Sequence, residues 1–282
     1  MSAPLTSDAV ATAFHNACMA ELDALKPGNV HRHADGHGME VADFERSAAA
    51  AAPAIAAAGL SVGQRIEAAV EATRAVVSHN TNLGIILLAA PLAQAALVSA
   101  GAGLRQALTL VLTSLTVEDA KAAYRAIRMA EPGGLGTARE HDVTSDPDIT
   151  LLDAMRAAQS HDRIAWNYAH DFVDIFDLGL KWRAGGTERW GDVPWVTTYV
   201  YLGFLAHIPD TLIERKFGTH TASDVLEEAR PIEAGLSQTH MPQEMAAPLA
   251  AFDASLKERG LNPGTSADLT VATVFAGALI GG

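Results

Sequence analysis

A stretch without any charged residue, from Asn80 to Leu104, is the feature that most limits how this chain can fold. It is long enough to cross a bilayer, because about 20 apolar residues suffice for a helical span. However, it contains Asn82, Pro91 and Gln94, and much of the rest is alanine, which contributes little transfer free energy. No second comparable stretch follows, and the flanks show no basic asymmetry. We therefore predict a buried central helix rather than a membrane span.

Helical signals recur along the rest of the chain. The first predicted helix is capped at Ser7 or Asp8 and runs to about Lys26. A second begins near Val41, and Pro53 is expected to kink or divide it. Apolar residues at helical spacing predict further helices at 63–79, 83–100, 104–115, 118–130, 161–182, 193–207, 220–231, 243–258 and 265–280.

The pattern as a whole is typical of a helical bundle. Thr116 with Asp119 forms an N-cap signature before the helix at 118–130. The sequence has no convincing strand alternation, no repeat of fixed period and no linker rich in proline, serine or charge. We therefore predict an all-α fold in which residues 1–282 form a single-domain bundle of roughly ten or more helices around a buried central helix.

The charge balance limits the classes of partner. The chain has 33 acidic and 20 basic residues, a net charge of −13. Because nucleic acids and anionic lipids are bound through a positive field, we expect no nucleic acid and no membrane as partners, although a local basic cluster could still bind a small anion. The single cysteine, Cys18, excludes an intrachain disulfide. The first residues lack the basic start and apolar core of a signal peptide, so a cytoplasmic location is expected.

Polar residues are concentrated at helix ends, in five segments. A bundle gathers such ends at one or both of its poles, so these segments are predicted to share a pocket. They are KPGNVHRHADGHG (26–38), SHNTNLG (78–84), EPGGLGTAREHDV (131–143), PDTLIERKFG (209–218) and LNPGTSADL (261–269).

The first polar segment suits an anion. Lys26 and Arg32 could bind phosphates as charged donors, and Asn29 and His31 add further polar groups. Backbone N–H groups near Gly28 could form an anion-binding nest. A helix C-cap followed by a solvated loop explains the same residues as well.

The same segment raises the question of a metal. His31, His33 and His37 could together hold zinc, but their spacing matches no strong zinc signature and the chain has no HExxH motif. Solvated or phosphate-facing histidines remain the main alternative to a zinc hydrolase.

Two helix starts carry similar chemistry. Asn80, Thr81 and Asn82 precede the uncharged helix, and a cap needs only one of them. A helix N-terminus is also a natural seat for phosphate. Thr265 and Asp268 form a plausible cap near the C-terminus, with Asp268 at the positive end of the helix dipole.

Two loops supply further charge. The segment EHDV offers Glu140, His141 and Asp142, and carboxylates in such a loop suit Mg²⁺ or a solvated acidic turn. Arg215 and Lys216 in ERKFG could bind phosphate or be ordinary cations near a helix C-terminus.

Taken in order, five motifs resemble the triphosphoribosyl-dephospho-coenzyme A synthase family. They are ELDALKPGNVHRHADGHGMEVADFERSA, NTNLGIILLAAPLA, PGGLG followed by HDV, PDTLIERKFG and NPGTSADL, and they extend from about residue 10 to the end. The resemblance implies an all-helical enzyme that transfers the triphosphoribosyl group of ATP to the 2′-hydroxyl of 3′-dephospho-CoA and releases adenine. It also implies Mg²⁺ as the cofactor that accompanies ATP.

The resemblance implies roles for individual residues. Phosphates would be bound by Lys26 and Arg215. The catalytic residues would be Asp43, as the base, with His31 and Asp142. Glu21 with Asp142 would hold Mg²⁺ or the ribose. The nucleotide or the acceptor would be oriented by Asn29, His31, Asn80, Thr81 and Asn82, with Arg32 and Asp268 in the same pocket.

The motifs also depart from those of the citrate-lyase branch of the family. That branch carries KPGLVD, an NTH-type motif and a DTN-HRGG-type motif, where this chain has KPGNVH, NTN and DTLIERKFG. The chain is closer to a divergent branch of archaea and methylotrophs. The acceptor could therefore be a one-carbon cofactor precursor of the methanopterin or methanofuran type.

Other hypotheses stay open at this point. A non-catalytic helical nucleotide-binding protein would need fewer polar groups at its helix ends than this chain has. The aromatic-rich segment 195–207 carries more apolar surface than one helix face usually needs, which favours either a core helix or a homodimer contact.

Overall fold

The protein, known here from a computed structural model that describes residues 4–99, 103–133 and 142–281, is built from α-helices. Within these ranges no strand occurs, and a π-helix at Asp174–Gly179 and a 3₁₀-helix at Pro242–Met245 complete the regular structure. The α-helices are α1 Ser7–Asp23, α2 Val41–Ala56, α3 Val62–Arg74, α4 Leu83–Val98, α5 Leu104–Thr113, α6 Val117–Ala130, α7 Leu151–Ala158, α8 Arg163–Ala169, α9 Leu180–Trp190, α10 Val193–His207, α11 Thr211–Phe217, α12 Thr219–Gln238, α13 Ala246–Glu258 and α14 Gly264–Gly281. The predicted all-α bundle of ten or more helices is confirmed.

The uncharged segment forms α4, which is a core helix as predicted. Most of its side chains are buried on all sides, since α2, α3, α5 and α14 pack around it. With 16 residues it is shorter than the roughly 20 that a bilayer span requires. A helix that is apolar all round has to be enclosed by others, so α4 organises the bundle.

Helix α14 is the second apolar axis of the bundle. Within the described ranges it is the one helix long and apolar enough to cross a membrane. It packs against α1, α4 and α10, and 61% of its residues are buried inside the protein. That burial is typical of a core helix.

Arg65 is a fully buried cation that ties three helices together. Its Nη1 donates hydrogen bonds to the carbonyl oxygens of Ile55 (2.6 Å) and Ala57 (2.9 Å) at the end of α2. Its Nη2 donates to Gln94 Oε1 on α4 (2.7 Å). Burial lowers the pKa of Arg65 to about 10, which still leaves the guanidinium charged at neutral pH. The arginine therefore caps α2 with no carboxylate partner among the described residues.

Several predicted helix ends are corrected by the structure. Helix α1 is capped by Thr6, whose Oγ1 accepts from the N–H of Ala9 (3.2 Å). It ends at Asp23 because Ala24 is already extended, so Lys26 lies in the following loop. Helix α2 continues through Pro53 and is not divided there. The capping box predicted for Thr116 is present at the start of α6.

The single helix predicted at 161–182 is wrong. Helix α8 ends at Ala169, and Asp171 and Phe172 then adopt positive φ of 50° and 55°. The chain resumes as the π-helix and α9, and Gly179 between them packs tightly on α14, where a Cβ would lie 2.8 Å from Thr273 Cγ2. Helices α7 and α11 were not predicted, and both are only seven or eight residues long.

Helix α10 belongs to the core, which confirms the first of the two interpretations given to its aromatic residues. Val200 and Phe204 join the main apolar cluster around α4 and α14, whereas Tyr201 and Leu205 join a second cluster with α12 and α13. One helix thus connects the two clusters. The homodimer stays a prediction.

The contact between α3 and α6 gives a test of close packing. Gly63 lies so near α6 that an added Cβ would be 2.5 Å from the carbonyl oxygen of Asp119. Because backbone cannot move aside as a side chain can, Gly63→Ala should lower the free energy of unfolding by about 1–3 kcal/mol. Gly185→Ala is the matched control, since nothing lies within 4 Å of its Cβ and alanine favours a helix. Urea unfolding of both variants tests this, and equal stabilities would contradict it.

Candidate functional site

Four of the polar segments meet at one end of the bundle, which we call the site pole and define by residues 21–31, 79–84, 210–216 and 262–268. Asn29 Nδ2 donates to Asn262 Oδ1 (2.8 Å), which joins the loop after α1 to the start of α14. Asp210 Oδ2 accepts from the N–H of Ser266 (2.8 Å), which joins α11 to α14. The predicted gathering of helix ends is therefore observed for these segments.

The start of α4 joins the same pole through Gly84. A Cβ on Gly84 would lie 2.5 Å from Asp268 Cγ, so glycine is required for the carboxyl group to rest against the first turn of α4. Helix N-termini carry partial positive charge. The start of α4 therefore lies against the N-terminal part of α14, and these helices are the two apolar axes.

The loop of residues 26–31 (the 26–31 loop) carries a buried ion pair. Lys26 is 0% exposed, and its Nζ pairs with Glu21 on α1 and donates to Asn29 Oδ1 (3.1 Å). Burial raises the pKa of Glu21 and lowers the pKa of Lys26, while their mutual attraction opposes both shifts. Each group is thus the main partner of the other. The predicted roles of Lys26 in phosphate binding and of Glu21 in metal binding stay predictions.

The backbone of the 26–31 loop is fixed by Gly28. Its φ is +82°, and a Cβ would lie 2.8 Å from Pro263 Cδ and 2.9 Å from Leu256 Cδ1. Tyr201 donates its hydroxyl hydrogen to the carbonyl oxygen of Pro27 (2.6 Å). Only glycine meets both the conformational and the steric requirement at this position.

His31 has both ring nitrogens facing the protein. The N–H of His33 donates to His31 Nδ1 (3.2 Å), so the proton of the neutral ring is on Nε2. That Nε2 lies 3.4 Å from Asp253 Oδ2. Burial lowers the pKa of His31, and Asp253 only partly opposes this. The geometry suits an orienting group, and the predicted catalytic role of His31 rests on the resemblance alone.

The three histidines of the predicted zinc site have separate partners. His37 Nε2 lies 2.7 Å from the carbonyl oxygen of Gly28, and the exposed His33 contributes its backbone N–H to His31. Within the described ranges no group of three or more His, Cys, Asp or Glu side chains is arranged to hold a metal ion. The zinc hypothesis therefore gains no support.

Arg32 points away from the buried part of the loop. It is exposed, and its guanidinium pairs with Asp23 on α1 and with Glu45 on α2 (2.5 Å). The hydrogen bonds that Arg32 donates to these two carboxylates raise its pKa. Arg32 thus ties the loop to α2, and its contact with phosphate stays a prediction.

The three predicted residues before α4 make different contacts. Asn80 Oδ1 accepts from the N–H of Leu83 (3.0 Å) and so supplies the cap. Thr81 Oγ1 lies 2.6 Å from Ser47 Oγ on α2, whereas the buried Asn82 donates to Thr73 Oγ1 on α3 (3.1 Å). These contacts hold the start of α4 between α2 and α3.

Asp43, the predicted base, lies beside this segment. Its Oδ2 is 3.2 Å from His79 Nε2, and its Oδ1 accepts from Arg46 Nη2 (2.6 Å). Its Oδ2 also accepts from the N–H of Glu40 at the start of α2 (3.1 Å). The side chain is only partly buried.

On the other side of the pole, Asp210 and Arg215 organise α11. Asp210 Oδ1 caps this helix by accepting from Leu212 N (3.0 Å) and Ile213 N (3.2 Å). Burial nevertheless raises the pKa of Asp210. Arg215 pairs with Asp162, the N-cap of α8, and its buried Nε has no hydrogen-bond partner in the part of the chain that the structure describes.

Asp268 differs from the other carboxylates of the pole. It makes no hydrogen bond with any described residue, and it does not cap α14. Burial raises its pKa well above the usual value, and the charges of Asp210, Glu21 and Asp162 raise it further, with Arg215 opposing. The predicted cap at Thr265 is wrong, because Thr265 Oγ1 instead accepts from Leu212 N (3.2 Å).

Asp142 lies in a turn of its own. Its Oδ1 accepts from the backbone N–H (2.9 Å) and the hydroxyl (2.7 Å) of Thr144, and its charge helps raise the pKa of Tyr124, after burial. Glu140 and His141, considered together with it, lie outside the described residues. Its predicted metal and catalytic roles stay predictions.

Three residues of the site were not predicted from the sequence. Asp210 and its threonine neighbour form an N-cap signal that a closer examination of the PDT motif could have found. Asp162 caps a helix of seven residues, which is too short for a periodic signal. Asp253, within α13, has no local signal for the site, since its contacts with the site are made to the distant 26–31 loop.

The position of Asp268 predicts a dependence of stability on pH. Above the usual aspartate pKa of about 3.9 the unfolded chain ionises freely, whereas the folded carboxyl does so only at a higher pH. The parent protein therefore loses stability as the pH rises from the pKa of Asp268 in the unfolded chain to its pKa in the folded protein. Asp268→Asn should not lose stability in this way. Melting temperatures from pH 4.5 to 7.5 should show an advantage of the variant that grows with pH. The exposed Asp192→Asn is the control, and an advantage that shrinks with pH would contradict the assignment.

Comparisons with known proteins agree with the motifs. A family model described as CitG, ATP:dephospho-CoA triphosphoribosyl transferase, matches residues 7–282. A crystal structure of an Archaeoglobus fulgidus protein assigned as a triphosphoribosyl-dephospho-CoA synthase has a TM-score of 0.65 at 24% identity, over 83% of this chain and 98% of that one. This likeness shows the fold. A search of curated proteins finds no match. Because the family model covers nearly the whole sequence, the chain belongs to the ATP:dephospho-CoA triphosphoribosyl transferase family.

Proposed function

We propose that the site pole is the active site at which the triphosphoribosyl group of ATP passes to the 2′-hydroxyl of 3′-dephospho-CoA with release of adenine. The observation that carries this proposal is the contact of Asp268 with Gly84, which brings the first turns of α4 and α14 together. Helix N-termini bind phosphate groups well, so two long ones that lie close together suit a polyphosphate. The membership of the family supplies the reaction.

The carboxylates of the pole suit the sugar of the substrate. Displacing adenine from the ribose builds positive charge at C1′, and fixed negative groups lower the energy of such a transition state. Asp210 is held in place by four hydrogen bonds, and Asp268 is close enough to respond to its charge. Arg215, with an unused Nε, is the cation on this side of the sugar.

Magnesium enters this proposal as part of the MgATP substrate. Glu21 already has the ammonium group of Lys26 where a metal ion would bind, so the buried pair does not fit a resident ion on that carboxylate. Mg²⁺ usually keeps several waters and binds through substrate phosphates with one or two carboxylates. When bound with ATP, it neutralises part of the triphosphate charge.

Asp43 is the proposed base for the acceptor hydroxyl. It is partly buried, and His79 and Arg46 fix its two oxygens. A base at this place would stand beside the start of α4, across the pole from α11. A cytoplasmic location fits an enzyme that consumes ATP, and we propose it for that reason.

The test is to incubate the protein with ATP, Mg²⁺ and 3′-dephospho-CoA and to measure adenine and the triphosphoribosyl adduct by mass spectrometry. Both products are expected. Gly84→Ala should lower the rate at least about a hundredfold, because its methyl group displaces the Asp268 carboxyl and misplaces the reacting groups. Gly185→Ala should retain the parent rate.

Other outcomes separate the alternatives. Adenine release with a methanopterin- or methanofuran-type precursor, and not with dephospho-CoA, would identify that precursor as the acceptor. The proposed reaction of ATP would stand. Protection of the fold by ATP without any product in either mixture would support a nucleotide-binding protein without this activity.

Asp43→Asn tests the base. The amide keeps an oxygen that can accept from Glu40 N, so the melting temperature should change little. Loss of a general base should lower kcat by about 10²- to 10⁴-fold. Steady-state kinetics of this variant and of the exposed control Asp192→Asn measure the effect. Equal kcat values for both variants would remove Asp43 from the mechanism.

A further inference from the structure

We propose that Asp253 on α13 is a positioning residue that holds the 26–31 loop in its active geometry. The inference rests on the proposed function, because the loop matters to catalysis only if the site pole is the active site. No polar motif of the sequence contains Asp253, and it does not belong to the segments that define the pole. It acts on the pole from a neighbouring helix.

Asp253 engages three groups from one buried position. Its Oδ1 accepts from the backbone N–H of Gly28 (2.8 Å), and its Oδ2 accepts from Lys257 Nζ (3.0 Å). The same Oδ2 lies 3.4 Å from His31 Nε2, the nitrogen that bears the proton. The residue is 6% exposed, so water does not compete strongly for these contacts.

The loop needs such an anchor because its own backbone supplies few hydrogen bonds. Asn29 N donates to Lys26 O (3.0 Å), and His31 N donates to Ala34 O (3.3 Å). Ala34 N also donates to His31 O (2.9 Å), and side chains from elsewhere in the chain, such as the Tyr201 hydroxyl, add further contacts. In the part of the chain that the structure describes, Asp253 binds the glycine at the middle of the loop by a hydrogen bond and lies 3.4 Å from the histidine at its end.

The charge of Asp253 also balances the cations nearby. Lys257, one helical turn further along α13, donates to Ala34 O (3.1 Å) as well as to Asp253. Its charge is near enough to lower the pKa of Lys26, after the larger effects of burial and of Glu21. Loss of the carboxylate would leave the Lys257 ammonium without a counterion beside the loop and beside the buried Lys26.

Three variants separate positioning from general stability. Asp253→Asn keeps an acceptor for Gly28 N–H and removes the charge, whereas Asp253→Ala removes every contact. Glu258→Gln is the matched control, because it removes one carboxylate charge from an exposed position at the end of the same helix. All three are compared with the parent protein below its melting temperature.

The first measurement is hydrogen–deuterium exchange by mass spectrometry, which does not depend on activity. Hydrogen exchange in peptides that contain residues 26–32 should be faster in Asp253→Ala than in the parent protein, with a smaller increase in Asp253→Asn. Peptides from α4 should exchange at the parent rate. Glu258→Gln should match the parent everywhere. Unchanged exchange of the loop in both Asp253 variants would overturn the proposal.

The second measurement is adenine release under saturating and limiting ATP. A displaced loop should lower kcat/KM about a hundredfold in Asp253→Ala, with Asp253→Asn in between and Glu258→Gln at the parent value. Faster hydrogen exchange of the loop with an unchanged kcat/KM would also overturn the proposal. A parent protein that releases no adenine would refute the proposed function instead, since the exchange result stands independently of it.

Discussion

The approach of Gly84 to Asp268 is the contact on which the geometry of the site pole depends. It sets the separation of α4 and α14, the two helices that are apolar on all sides. A side chain at position 84 would push the two first turns apart and would open the core between them. The same contact brings a carboxyl group against the positive end of a helix dipole. Core packing and the chemistry of the site are therefore fixed at one place.

Around that contact, most charged groups of the pole already have partners. Lys26 pairs with Glu21, Arg215 with Asp162, and the carboxylate of Asp210 accepts four hydrogen bonds. Asp268 makes no hydrogen bond within the described ranges and is surrounded by like charge. Repulsion between like charges is destabilising, and it is typical of sites where stability is given up for function. A ligand with cationic character at its reacting atom would relieve this imbalance.

The fold was largely predictable because its strongest signals are local. The charge-free segment 83–98, the capping box at Thr116 and the glycine and proline residues at helix ends predicted most elements within a few residues. Prediction failed at 161–182, where the apolar spacing is continuous but the backbone turns to positive φ at Asp171 and Phe172 and then forms a π-helix. It also failed for the short α7 and α11, since one or two turns give too little periodicity.

By itself the sequence determined that the chain is all-helical, that an uncharged helix lies at its centre, and that the polar groups collect at helix ends. These properties follow from the spacing of residues along one chain. Only the tertiary structure decided that Lys26 is buried against Glu21, that both nitrogens of His31 face the protein, and that Asp253 anchors the 26–31 loop. Gly28 and Asp253 are 225 positions apart. No local pattern records such a contact, because it depends on how separate helices pack and on which charges that packing buries together.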